Sequence, residues 1–183
     1  REQCELDQVW LMPAARSPHK PEERVSRAEH RLEMLRLAVA GHDAFHVSSL
    51  EIDRGGVSFT VETLSELQRA MPQARLFLLL GADSLADFPH WREPARICEL
   101  AIPVVAARPG YESPDLAKLA DLVSGERMQE VLRYRVEMPL IELSGTELRR
   151  RAAEGRSLRY RTPRAVQKYI ETHQVYGSDQ ARP

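Results

Sequence analysis

The densest chemistry in this 183-residue chain lies in Ser144-Gly145-Thr146-Glu147-Leu148-Arg149. Ser144 and Glu147 stand at capping-box spacing and mark a helix start. Two hydroxyls, a glycine and helix N-terminal amides make a cradle for phosphate. Arg149, one turn in, adds a planar cationic fork. The plainer alternative is a capped amphipathic helix whose arginines face water. A second stretch follows the apolar run Leu76 to Leu80, where Gly81-Ala82-Asp83-Ser84 presents a carboxylate within three residues of the run's end. Gly81 lets the backbone turn and approach a ligand, and Asp83 can bind a sugar hydroxyl there, or simply cap the next helix. His19 and Lys20, in Ser17-Pro18-His19-Lys20, can hold phosphates or form a solvated turn. Ser58-Phe59-Thr60 opens a helix whose first amides suit a small anion such as a carboxylate, with Ser58 as a plain cap the alternative. Arg108 stands in a further turn, Arg108-Pro109-Gly110-Tyr111.

The spacing of apolar residues gives the elements that carry these groups. Five consecutive large apolar residues, Leu76 to Leu80, leave no polar face and predict a central strand buried on both sides. Val9 to Met12, Phe45 to Ile52, Ala101 to Ala107 and Leu140 to Leu143 read as further strands. Pro103 donates no ladder hydrogen bond, so its strand begins near it or lies towards an edge there. Val25, Ala28, Leu32, Leu35 and Val39 predict an amphipathic helix ended by Gly41. Val61, Leu64, Leu67 and Met71 predict a second helix, Pro94 with Ile97 to Leu100 a short third, and Val166, Tyr169 and Ile170 a last one opened by Pro163. Residues 112–138 are hard to read beyond a helix at Leu116 to Val123, and Arg1 to Leu6 resemble the last turns of a helix.

Alternating strands and helices predict an α/β fold, a doubly wound parallel sheet with right-handed crossovers. The His19, Asp83, Arg108 and Ser144 loops then each follow a strand and share one rim of the sheet, where one nucleotide pocket accounts for all four. The expected organisation is a single domain over residues 1–177 with a flexible tail at 178–183.

Composition sets outer limits. Hydrophobic residues at 43% and charged residues at 29% describe a globular chain, and a net charge of -1 gives no general attraction to nucleic acid or anionic membrane. No apolar run nears the ~20 residues a membrane span needs. Two cysteines, Cys4 and Cys98, far apart in sequence, suit a reducing cytoplasm.

With these residues in place, the chain resembles the bacterial nicotinate-mononucleotide adenylyltransferases of the nucleotidyltransferase superfamily. Ser17-Pro18-His19-Lys20 is similar to their P-P-H-K/R segment, and Ser58-Phe59-Thr60 with Thr63-Leu64 to S-Y-T-x-x-T-L, Phe59 replacing tyrosine. Gly81-Ala82-Asp83-Ser84-Leu85 followed by Trp91 resembles G-x-D-x-L and tryptophan, Arg108-Pro109-Gly110 matches R-P-G, and Ser144 to Arg149 resembles I-S-x-T-x-I-R. The likeness extends to about residue 176.

The resemblance implies a Rossmann-like nucleotidyltransferase fold and transfer of AMP from ATP to nicotinate mononucleotide, giving deamido-NAD and pyrophosphate, with Mg²⁺ accompanying ATP. It implies that Gly81, Asp83, Ser144, Thr146 and Arg149 bind ATP, and that His19 and Lys20, with Arg149, lie near the reacting phosphates. It further implies that Ser58, Phe59, Thr60, Trp91 and Arg108 bind the nicotinate nucleotide, Trp91 stacking on the pyridine ring. Its partners are these two small molecules, with neither nucleic acid nor membrane among them and no oligomeric state fixed. Two alternatives stay open: a phosphopantetheine-type adenylyltransferase of the same superfamily, and a non-catalytic nucleotide- or RNA-binding module, for which the seven arginines from Arg149 to Arg164 would speak.

The family's opening strand and G-G-T/S-F-D-P-x-H-x-G-H loop have no counterpart in a chain that begins at Arg1. None of the histidines at positions 19, 30, 42, 46, 90 and 173 stands in that context. Lacking that strand would leave unpaired backbone groups along a sheet edge. The expectation is that the 183 residues alone are inactive and poorly soluble, and that roughly 25 to 30 further upstream residues restore adenylyl transfer.

Overall fold

The computed structural model describes residues 1–18, 26–107, 114–139 and 141–177. His19, Lys20 and Arg108 lie outside them. The chain opens with β1 (Val9–Leu11), α1 (Ala28–Val39), β2 (Phe45–Val47) and α2 (Leu50–Arg54). There follow α3 (Thr60–Ala70), β3 (Leu76–Gly81), α4 (Ala82–Asp87), α5 (Pro94–Leu100) and β4 (Ala101–Ala107). Last come α6 (Gly125–Arg133), β5 (Arg135–Glu137), α7 (Gly145–Ala153) and α8 (Arg164–His173).

These elements form two units. One comprises Arg1–Leu6 and Ser58–Leu140, the other Asp7–Val57 and Ile141–Pro183. In the first, β3, β4 and β5 make a parallel sheet with β4 in the middle. Leu64, Leu80, Leu85, Phe88, Ile97 and Ile102 are all buried in its core. The seven residues of β4 are apolar and at most partly exposed, as a strand flanked on both edges and covered by helices requires. Pro103 fits this strand because β5 joins β4 only from Val105 onward, so no neighbour on that side asks for the amide that proline lacks.

In the second unit β1 and β2 pair in parallel, with α1 as their crossover. Leu158, Val166 and Ile170 are buried here and pack with Met34 and Leu37 of α1 and Leu148 of α7. Nδ1 of His30 on α1 is hydrogen-bonded to the hydroxyl of Tyr169 on α8 at 2.9 Å.

Several local expectations are corrected. Among the described residues β3 has one partner strand, β4, and Leu79 is 63% exposed while Leu80 is 2% exposed. An unbroken apolar run does not say which of its alternating faces is covered. The strand from Phe45 stops at Val47, because Ser48 Oγ accepts the amide of Leu50 and Ser49 donates its hydroxyl to Asp53, which together turn the chain into α2. Leu116 to Val123 is not one helix. Asp115 caps a single 3₁₀ turn, Leu116–Leu119, and Ser124 then caps α6. Arg1 to Leu6 likewise hold one 3₁₀ turn, Glu2–Cys4.

The last strand is also displaced. Ile141 to Leu143 form no strand, with Ile141 and Leu143 exposed. The place beside β4 goes to Arg135–Glu137, whose end is held by Gln3, which donates to Glu137 O at 3.0 Å and accepts from Glu137 N at 2.8 Å. The Ser144 loop therefore does not directly follow a strand. Among the described residues no helix is long and apolar enough to cross a membrane.

Candidate active site

At the start of α7 the capping box is half formed. Ser144 Oγ accepts the amide of Glu147 at 3.1 Å, while the Glu147 carboxylate turns away to take hydrogen bonds from Arg150 at 2.7 to 2.9 Å. Those bonds hold the Glu147 carboxyl below its ordinary range. Arg150 also donates to Glu154 at 2.8 Å, so both nearby carboxylates are engaged by one arginine.

Arg149 is treated differently. Its guanidinium folds back over the first turn and donates to Thr146 Oγ1 at 3.1 Å, and among the described residues it meets no carboxylate. Gly145 lies directly beneath, where a Cβ would come within 3.2 Å of Arg149 Nη1. Ser144, Thr146 and Arg149 are all exposed. The helix start thus presents two hydroxyls, its dipole's positive end and an arginine whose charge is not spent on a neighbour. That set can bind an anionic, multiply charged oxygen ligand.

In the other unit, Phe59 is the N-cap of α3 and its own side chain makes no cap hydrogen bond. The expected cap, Ser58, is instead a buried residue one position earlier, 6% exposed. A phenyl ring accepts no strong hydrogen bond, so the cap position meets the first turn only through its backbone, Phe59 O accepting the Glu62 amide at 3.1 Å. Trp91 is half-buried, with its ring 5.3 Å from that of Phe88. Its neighbour Arg92 reaches α3, donating to Glu62 Oε1 at 2.8 Å with its guanidinium 4.6 Å from the centre of the Phe59 ring. The Ser58–Thr60 and Trp91 stretches are thereby joined through Arg92, which the sequence marks only as a polar neighbour of Trp91. Its signal was present: a cation directly after the tryptophan and before a Glu-Pro turn.

Asp83 is exposed and sits in the first turn of α4, directly after Gly81 ends β3, and it does not cap that helix. A carboxylate just beyond the carboxyl end of a parallel strand is placed to accept hydroxyl donors.

This fold and these groups define a nucleotide-handling α/β protein, and comparison with known proteins narrows the class. The sequence pattern of the cytidylyltransferase-like family matches residues 1–151. A protein of Salinibacter ruber named "Probable nicotinate-nucleotide adenylyltransferase" is 42% identical over 96% of this chain and 86% of its own length. One of the same name from Roseiflexus sp. is 46% identical over 93% of this chain and 83% of its own. The chain belongs to the nicotinate-nucleotide adenylyltransferases of the cytidylyltransferase-like family. A solved Plasmodium falciparum nicotinic acid mononucleotide adenylyltransferase in complex with NaAD is similar in fold, with a TM-score of 0.66 over 93% of this chain and 83% of that one at 12% identity. The fold is accordingly the Rossmann-like nucleotidyltransferase fold.

Proposed function

We propose that the chain performs its family's reaction, moving AMP from ATP to nicotinate mononucleotide and releasing pyrophosphate as it forms deamido-NAD, in the cytoplasm. The observation that carries this reading is the contrast between Arg149 and Arg150: one arginine engages both local carboxylates, while the other meets none among the described residues and lies on the Thr146 hydroxyl at the α7 start.

The attacking group is a phosphate monoester, largely ionised at neutral pH, so the protein need not supply a strong base. Its work is to align two phosphates in line and to offset their charge. Ser144, Thr146 and Arg149 hold the ATP phosphates, and Gly81 and Asp83 the adenosine ribose. His19 and Lys20 serve the reacting phosphates. Ser58, Phe59, Thr60, Trp91 and Arg108 receive the nicotinate nucleotide, whose carboxylate suits the start of α3.

A divalent cation such as Mg²⁺ supplies further charge neutralisation when bound. Such a cation would be carried mainly on the nucleotide's own phosphate oxygens, as Mg²⁺ with ATP commonly is. Cys4 and Cys98 are free and buried, in keeping with a reducing compartment.

The test is pyrophosphate release by protein expressed from its complete reading frame, with ATP, Mg²⁺ and one acceptor at a time. Turnover with nicotinate mononucleotide is expected. Preference for phosphopantetheine, or no turnover with any mononucleotide, would overturn the reading.

A further inference from the structure

We propose that Arg92 is a positioning residue for nicotinate mononucleotide, a clamp that fixes the Trp91 segment against the start of α3. The inference rests on the reading above that Trp91 and the α3 start receive the pyridine nucleotide. It adds a residue that touches no substrate and acts through both of those features.

Three observations carry it. First, Arg92 makes two different contacts with one turn of α3: an ion pair with Glu62 at 2.8 Å and a cation–π contact with Phe59 at 4.6 Å. An arginine in water gains little from one exposed carboxylate, but a planar guanidinium seated on a ring while bonded at its edge is fixed in both position and tilt. Second, the backbone around it is held in a costly form. Glu93 lies in the left-handed region at φ +53° although it is not glycine and precedes Pro94. Such a conformation persists where the surroundings over-determine it. Arg92 on one side and the α5 start on the other do so, and Trp91 N bonded to Phe88 O at 3.0 Å closes the turn. Third, Phe59 and Trp91 both pack on the same apolar core, so a tie between their segments constrains two side chains that already share a floor.

The consequence is pre-organisation. A stacking indole is useful only if it stands at the right height and tilt before the ligand arrives, and the entropy of ordering it is then not charged to binding. The clamp uses the face of Phe59 and needs no ring hydroxyl.

The experiment compares Arg92→Met, Arg92→Lys, Glu62→Gln and Trp91→Ala in protein expressed from its complete reading frame, with Trp10 and any tryptophan outside these 183 residues replaced by phenylalanine in every case, so that Trp91 alone reports. Arg92→Met keeps the aliphatic stem against Phe59 and removes the charge. It should raise KM for nicotinate mononucleotide about fivefold, change KM for ATP less than about twofold, and make Trp91 more open to acrylamide quenching without any ligand. Arg92→Lys should recover part of each effect. Glu62→Gln should move the same readings in the same direction, and less than additively with Arg92→Met. If Arg92→Met leaves both the quenching and the mononucleotide KM unchanged while Trp91→Ala raises that KM, the clamp is overturned and the pocket stands. A parallel rise in both KM values would also overturn it, since a general loosening is not positioning. If Trp91→Ala leaves the mononucleotide KM unchanged, the pyridine-pocket reading itself falls, and the clamp with it.

Discussion

A Cβ on Gly145 would stand 3.2 Å from Arg149 Nη1, so this glycine sets how low the guanidinium can lie over the start of α7. Nothing in the Gly145 backbone demands glycine by a positive φ, and the contact is with the far end of a flexible side chain. Gly145→Ala is therefore expected to leave the fold and its stability nearly unchanged, while lifting the guanidinium and weakening ATP several-fold.

Arg149→Ala should cost more, because charge-assisted hydrogen bonds contribute about 1.5 to 3 kcal/mol each. Arg150→Ala is the control, since its partners are Glu147 and Glu154 and not a ligand. Titration with ATP distinguishes them: equal losses in the two arginine variants would remove the special role of Arg149.

The mononucleotide with a carboxylate should be favoured over its amide. An amide would bring an NH₂ donor against helix N–H donors, whereas a carboxylate accepts from them and meets the positive end of the dipole. The ratio of kcat/KM for nicotinate and nicotinamide mononucleotides measures this directly. A ratio near one would contradict the α3 start as the carboxylate site.

Tyr169→Phe keeps the ring that packs against His173, with centroids 4.3 Å apart, and removes only the hydroxyl bonded to His30. The expected loss is about 0.5 to 1.5 kcal/mol of unfolding free energy, read from denaturant midpoints. No loss would mean that water replaces the bond at no cost.

Burial pushes the Cys98 thiol up to about 11 from its ordinary 9.0, against an opposing effect from Arg127. Between those values the unfolded chain has given up the proton that the folded chain keeps. The folded state thus binds more protons there, and stability falls as pH rises from 9 towards 11. Cys98→Ala should flatten that part of the stability profile. At pH 8 a disulfide reagent should react with Cys98 only as fast as the protein opens.

The sequence was most legible where chemistry and chain direction are local. Gly81 after an apolar run, Ser144 three residues before Glu147, and Pro163 before a helix each carry their meaning within a few residues, and the structure ends β3 and starts α7 and α8 at those places. What failed depended on partners far away. Leu79 is as apolar as Leu80, and only the placement of the helices decides that one is buried and the other open. Arg135-Val136-Glu137 has the look of a solvated turn, yet it pairs with β4 and is secured by Gln3, 134 residues earlier. Ile141 and Leu143 alternate as a strand would, but a strand needs a neighbouring ladder as well as a pattern. Arg92 had no legible role for the same reason, since its partners lie at the start of an element that ended 22 residues before it.

The backbone passes between the two units three times, after Leu6, Val57 and Leu140, so neither is a continuous piece of chain. During synthesis this delays one of them sharply. The bond from His30 to Tyr169 spans 139 residues, and at ribosomal rates of about 5 to 20 residues per second α1 waits roughly 7 to 30 s for α8 to be made. For that interval Met34 and Leu37 face water with no lasting partner from α8, offering chaperones and proteases a substrate that the finished protein never shows.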